Sequence, residues 1–294
     1  MTMKSSGITV LIPAKNEADT LCSLLPRLKS ELPDARVLVV DDGSTDATAS
    51  VCKKCGVDVI SVPYSLGNGG AVKTGVRSVE SERLLLMDAD GQHSPEDVPR
   101  LLAMLDEGYD MVVGARTRDS QANFGRATAN TIYNRLAGWM VGRNIPDLTS
   151  GFRAARTEKF KKFLHLLPNG FSYPTTITMA FFRAGYSVAY LPITAAQRTD
   201  NGGGTSSHIS PLKDGVRFLL IIFRVGTLYS PLKIFFPISL TFFTMGLGYY
   251  LYTYLSLNTF TNMGALLFIT SMLVFLIGLV SEQITNLLYS RGAE

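Results

Sequence analysis

The sequence predicts an α/β protein with a mainly parallel sheet, followed by an interfacial helix and two C-terminal transmembrane helices. Three observations carry that prediction. Short apolar runs alternate with helical patterns through about residue 115, the βαβα order that places helices on both faces of a parallel sheet. Acidic clusters follow several of those runs, at the strand ends beyond which open α/β sheets bind ligands. From Ile234 through Ser281 there is no Asp, Glu, Lys, Arg or His, which is room for two spans of about 20 residues each.

Ile8–Ile12 is the first strand. Asp19 or Thr20 caps the helix after it, whose Leu21, Leu24, Leu25 and Leu28 share a face. Val37–Val40 is the next strand, and Thr45–Cys55 reads as helical. Val57–Val62 follows as a strand, with Asn68–Val79 helical behind it. Arg83–Leu86 reads as a buried strand that ends in Met87-Asp88-Ala89-Asp90-Gly91-Gln92. Ser94 caps the following helix, with Pro95 in its first turn and Glu96 and Asp97 early. Met111–Gly114 closes the series.

Beyond Gly114 the pattern loosens. Phe124–Val141 sets Ile132, Leu136, Trp139 and Met140 against Arg126, Arg135 and Arg143, which suits a helix on a membrane surface and an amphipathic core helix equally. Asn201–His208 reads as a loop. Val216–Leu228, with Arg217 and Arg224, reads as an interfacial helix leading through Ser230-Pro231 into spans near Ile234–Leu255 and Gly264–Ser281. The domains are therefore expected at 1–209, 210–230 and 231–294.

Lys213, Arg217, Arg224 and Lys233 precede the first span, Arg291 follows the second, and the connection Ser256–Met263 has no basic residue. The positive-inside rule then puts both termini and the N-terminal domain in the cytoplasm, as in a prokaryotic inner-membrane protein. The competing reading, a buried hairpin in a soluble protein, would demand an unusually large core. Met1–Ser6 shows no signal-peptide pattern. A net charge of +4 fits an anionic partner and is too mild to argue for nucleic acid. Cys52 and Cys55 form a lone CxxC without a second ligand pair, and with Cys22 they fit a reducing compartment.

Asp88, Asp90 and the Gln92 amide oxygen make an all-oxygen site suited to Mg2+ or Mn2+, a cation that keeps waters and shares a diphosphate. The first strand ends in Pro13-Ala14-Lys15-Asn16-Glu17 and the second in Asp41-Asp42-Gly43-Ser44-Thr45-Asp46. Each cluster alone also reads as a turn or cap. Three on one sheet edge repel unless a cation or donor groups offset them. Leu66–Ala71 lacks the third glycine of a dinucleotide fingerprint and follows the wrong strand. It reads instead as a loop that lets backbone approach a ligand, with Lys73 nearby.

In order along the chain stand Pro-x-x-Asn-Glu, Asp-Asp-Gly-Ser-x-Asp, Gly-Asn-Gly-x-Ala, Asp-Ala-Asp-x-Gln, Gly-x-Arg at Gly114–Arg116 and Asp-x-x-Ser-Gly-Phe-Arg at Asp147–Arg153. Together they resemble family 2 glycosyltransferases of the GT-A fold, in the dolichyl- or polyprenyl-phosphate sugar synthase branch (dolichol-phosphate mannose synthase-like). The resemblance covers about residues 7–210, and the paired C-terminal spans resemble the bacterial polyprenyl-phosphate branch. The Gln-x-x-Arg-Trp motif of processive polysaccharide synthases is absent; the only Trp is Trp139.

The resemblance implies that Pro13, Lys15, Glu17, Val40 and Asp42 hold the base and ribose of a UDP- or GDP-sugar. Asn68, Lys73, Ala89 and Arg198 complete that nucleotide-sugar side. Asp88 would contact the sugar or ribose, and Asp90 with Gln92 would hold the metal. Arg116, Arg126 and Asn130 would meet a polyprenyl phosphate acceptor, so the catalytic set reads Asp88, Asp90, Arg116 and Asp147. The implied reaction is one inverting displacement at the cytoplasmic face of a lipid bilayer. Two departures from the pattern stand out. Relatives commonly carry Arg-x-x-Gly-x-Ser-Lys; here Arg198 remains, the segment is longer, and His208 follows Ser207 in place of Lys. Thr176 stands where relatives often have Glu. Two rival readings are a membrane glycosyltransferase acting on a lipid hydroxyl with Asp147 as base, and a non-catalytic nucleotide-sugar-binding membrane protein. The sugar, the base, the prenyl length and homo-oligomerisation are left open.

Overall fold

The computed structural model describes residues 7–116, 124–170, 172–194, 227–259 and 261–290. Its sheet is built from β1 (Ile8–Ala14), β2 (Arg36–Asp41), β3 (Asp58–Ser61), β4 (Arg83–Leu86), β5 (Met111–Arg116), β6 (Arg153–Arg156) and β7 (Val188–Ile193). Their order is β3-β2-β1-β4-β6-β5-β7. β1 pairs in parallel with β2 and β4, β2 with β3, and β5 with β7. β6 alone runs antiparallel, wedged between β4 and β5. That reversal matters for the site. The start of β6 (Arg153) pairs with the end of β4 (Leu86) and with Val113 on β5. The segment before β6 is thereby delivered to the edge where the parallel strands end.

Strand β1 is buried throughout, as expected of a central strand covered on both faces. Helix α1 (Ala18–Glu31) lays Leu21, Leu24, Leu25 and Leu28 onto the sheet. Neither Asp19 nor Thr20 caps it. Glu17 takes the cap position, its N–H donates to Thr48 Oγ1 (3.1 Å), and the Ala18 N–H donates to Asp46 Oδ2 (3.2 Å). The loop after β2 therefore supplies acceptors for the first helix. The same loop delays its own helix: α2 (Thr48–Lys54) begins at Thr48, not Thr45, because Asp46 accepts the Thr48 N–H and Asn16 accepts the Thr45 N–H.

Helix α3 (Asn68–Arg77) approaches the sheet closely at Gly75, where a Cβ would stand 2.3 Å from Leu11 Cδ1. Ser94 bonds the Glu96 carboxylate instead of capping, and a 3-10 turn at Pro95–Asp97 precedes α4 (Val98–Asp106). In α5 (Phe124–Val141), Tyr133, Ala137 and Met140 are buried while Trp139 is exposed. Tyr133 donates to Thr175 on α7 (Tyr173–Arg183) at 3.3 Å, after the short α6 (Thr157–Lys161). The described half of α5 thus buries one face and exposes Trp139 and Arg135 on the rest. Burial pushes the Cys52 thiol up to about 11, away from the reactive thiolate that a redox CxxC needs.

The chain divides into two compact units, Met1–Ser207 and His208–Glu294. In the second, α8 (Pro231–Leu257) and α9 (Asn262–Ser290) form a hairpin of helices long and apolar enough to cross a membrane. They run 27 and 29 residues, longer than the charge-free stretches alone suggest, and α9 includes Glu282. Ser239 and Ser271 each donate to the other's backbone carbonyl, at 3.0 and 2.9 Å. Gly278 leaves room for Phe235. Most of the large apolar side chains are exposed, Leu255 at 81% and Leu287 at 67% among them. A hairpin in a soluble core would bury them. The helix expected over Val216–Leu228 falls almost wholly outside the described residues, as do the loop at 201–208 and Arg291.

Candidate active site

The loops after β1 and β2 are knitted together at the sheet edge. Asn16, at φ 55°, donates its N–H to Ser44 Oγ (2.9 Å) and accepts the Thr45 N–H (2.8 Å) on its side chain. Lys15 is exposed and Glu17 half-buried. Asp42 is buried, and its oxygens accept from Ser65 Oγ (2.7 Å), Leu66 N (2.6 Å) and Gly67 N (3.0 Å). Asp41 accepts from Ser44 N and Ser61 Oγ. Donor groups therefore offset these two charges, which accounts for their proximity.

The other residues expected on the nucleotide side stand at the ends of β1 and β2 and around the start of α3. Pro13 lies buried within β1. Val40 is fully buried, its side chain against Gly75 of α3, so it has no side-chain access to a ligand. Lys73 donates to the Leu167 carbonyl at 3.1 Å. Burial, with Arg77 nearby, holds its ammonium below the ordinary lysine range. The glycines at the start of α3 do permit a close backbone approach, but to the chain's own loop. A Cβ on Gly69 would stand 2.0 Å from the Pro168 carbonyl oxygen, and the Gly70 N–H donates to Asn169 O (2.8 Å). Asn68 is exposed at the first turn.

The acids after β4 are arranged more openly. Asp88 and Asp90 are half-buried, with Ala89 buried between them. Gly91, at φ 73°, turns the chain so that Asp90 Oδ1 accepts the Gln92 N–H (3.1 Å). Gly151 lies against Asp88 so closely that a Cβ there would stand 2.2 Å from Asp88 Oδ2. His93 sits on the same carboxylate, with Nε2 3.4 Å from Oδ2.

Arg116, at the end of β5, donates from Nε to Asp147 Oδ2 (2.8 Å) and from Nη2 to Asp147 Oδ1 (3.1 Å) and Thr149 Oγ1 (2.7 Å). Nη1 makes no hydrogen bond among the described residues, so its two N–H groups are left for an anion. The Asp147 hydrogen bonds raise the Arg116 pKa, and the charges of Asp147, Asp88 and Asp90 act in the same direction. Burial alone would raise the Asp147 pKa; the hydrogen bonds and charge of Arg116 outweigh it and hold the carboxyl below the usual range.

Among the described residues no group of three or more His, Cys, Asp or Glu side chains surrounds a metal position. Two half-buried carboxylates and an amide fit a hard cation that keeps waters and takes phosphate oxygens. Arg198 and the side chains of Arg126 and Asn130 lie outside the described residues. Three residues were missed from sequence. Thr149 and Arg153 belong to the Asp147–Arg153 motif, which was their signal. His93 had only its place beside Gln92. Arg153 is fully buried, donating to Pro174 O (3.0 Å), Thr178 Oγ1 (3.1 Å) and Ser150 O, and it props the segment that holds Arg116.

Two family profiles match the chain: "Glycosyl transferase family 2" over residues 9–164 and "GtrB C-terminal hairpin" over residues 230–287. Glycosyltransferase AglJ of Haloferax volcanii is 30% identical over 251 residues, covering 84% of this chain and 80% of that protein. The polyprenol monophosphomannose synthase of Mycolicibacterium smegmatis is 31% identical over 205 residues, covering 64% and 77%. Among solved structures, glucosyl-3-phosphoglycerate synthase from Mycobacterium tuberculosis, in complex with Mn2+, UDP and glucosyl-3-phosphoglycerate, superposes with a TM-score of 0.58 at 22% identity, over 74% of this chain and 80% of that one. That likeness is one of fold.

Proposed function

The chain belongs to glycosyl transferase family 2, and on that premise we propose that it moves a sugar from a UDP- or GDP-sugar to a polyprenyl phosphate, with inversion, at the cytoplasmic face of a membrane. One observation carries the reading: the segment that bonds Arg116 through Asp147 also packs Gly151 against the Asp88 carboxylate, bringing the arginine and the acid to one place. A cation-binding pair and an anion-binding arginine on one sheet edge suit a reaction between two phosphate-bearing substrates.

The acceptor is a phosphate monoester, largely dianionic near neutral pH, and it needs no general base to attack the anomeric carbon. What the protein must do is bring two anions together. Arg116, with Arg126 and Asn130, orients the incoming phosphate; Asp88 orients the sugar. Mg2+ or Mn2+ held by Asp90 and Gln92 would supply positive charge against the departing diphosphate. Arg198 is assigned to the same leaving group. The α8–α9 hairpin, with its exposed apolar surface, would keep the enzyme where its prenyl acceptor resides, both termini in the cytoplasm.

The hydroxyl-acceptor alternative is disfavoured by a specific contact. Asp147 would have to take a proton, yet both its oxygens accept from Arg116 and its pKa is held low. The test is purified protein in detergent with a panel of nucleotide sugars and either polyprenyl phosphate or the matching prenol. Product is expected with the phosphate only. Transfer to the prenol instead would overturn the reading.

A further inference from the structure

We propose that His93 is the positioning residue of Asp88, locking that carboxylate to the strand pair that also holds Arg116. The proposal rests on the functional reading above and adds a residue to it. His93 is almost wholly buried, with a side-chain exposure of 3%. Its ring stacks on Phe152, with centroids 5.0 Å apart and planes 15° from parallel. Nε2 lies 3.4 Å from Asp88 Oδ2, and Gly151 lies against the same carboxylate. Asp88 therefore has an imidazole and a backbone with no space for a Cβ as its neighbours.

This arrangement is tied to the acceptor side through the sheet. Gly151 and Phe152 are the residues immediately before β6. The Phe152 carbonyl accepts the Gly114 N–H of β5 (2.9 Å), two residues before Arg116, and Arg153 pairs with Leu86 of β4. One short segment thus sets the imidazole, the carboxylate and, through Asp147, the guanidinium.

A purely packing role does not account for the imidazole. Among the described residues His93 Nδ1 is buried with no hydrogen-bond partner, a burden that an apolar ring would avoid. In a neutral imidazole one nitrogen donates and the other accepts. With Nδ1 lacking a partner to donate to, the proton belongs on Nε2, facing the carboxylate. The 3.4 Å separation exceeds an ordinary N–H···O bond, and such contacts tighten when substrate binds.

The experiment is a cycle of His93→Phe, His93→Gln, Asp88→Asn and the double variant H93F/D88N, assayed on the full-length protein with nucleotide sugar and polyprenyl phosphate. His93→Phe keeps the stack and removes the donor. It should lower kcat at least about tenfold, in the range seen when a supporting hydrogen bond is lost, with an unchanged melting temperature. His93→Gln retains an N–H near the Nε2 position and should recover much of the loss. The double variant should be no slower than Asp88→Asn, because His93 acts through Asp88. Additive losses, or full activity in His93→Phe, would overturn the proposal. If the wild-type enzyme ignores polyprenyl phosphate, the acceptor reading has failed instead. The same cycle is then read by calorimetry of nucleotide-sugar binding, where additivity again decides against His93.

Discussion

Arg116 and Asp147 stand 31 residues apart in the chain, yet meet through two side-chain hydrogen bonds of 2.8 and 3.1 Å. Both side chains are shielded, at 25% and 5% exposure, so removing one partner leaves the other poorly solvated. Asp147→Asn should destabilise the protein by about 3 kcal/mol and lower turnover by misplacing Arg116, without abolishing nucleotide binding. Denaturant titration and calorimetry check both parts. The pH dependence has a definite sign. The folded-state pKa of Asp147 lies below its unfolded value, so its stabilisation is present above about pH 4 and fades as pH falls through the lowered folded value. The wild type should lose stability over that acidic window more steeply than the Asn variant.

Asp90→Asn takes one charge from the proposed cation site. Turnover should fall at least about a hundredfold, equivalent to roughly 2.7 kcal/mol of barrier. Chelator should silence the wild-type enzyme, and added Mn2+ or Mg2+ should restore it. Near-normal rates in the presence of chelator would remove the metal from the mechanism.

Gly69 packs α3 onto the 168–170 loop with no room for a methyl group, since the nearest atom is a backbone carbonyl oxygen 2.0 Å away. Gly69→Ala should cost about 1–3 kcal/mol through overpacking, despite the better helix propensity of alanine. A raised melting temperature would show that the loop yields freely.

The hairpin connection offers a topology test. Thr259 is exposed between α8 and α9, and Cys22 is exposed in the N-terminal unit. Thr259→Cys should react with an impermeant thiol reagent added to intact cells, whereas Cys22 should react only after permeabilisation. The opposite pattern would put the active site on the wrong side for cytosolic nucleotide sugars.

Arg126 lies in the first turn of α5, assigned to the acceptor phosphate. A guanidinium binds two phosphate oxygens in a plane and an ammonium does not. Arg126→Lys should raise the apparent KM for polyprenyl phosphate far more than it weakens nucleotide binding. Collapse of nucleotide affinity with an unchanged lipid KM would move Arg126 to the donor side.

What was legible in the sequence was local. The strand–helix rhythm to Arg116, the acids after β1, β2 and β4, and the charge-free run of the hairpin all follow from periodicity and composition within short windows. Arg153-Ala-Ala-Arg156 escaped such a window because a four-residue strand with arginine at both ends shows no apolar alternation. Its burial comes from its neighbours. The same limit applies to side-chain partners: nothing near Lys73 announces Leu167, and nothing near Asp88 announces Gly151. The Gly151 contact exists because β6 enters the sheet backwards between β4 and β5. Strand order is set by how the whole chain buries its apolar surface, and only the tertiary structure decides it.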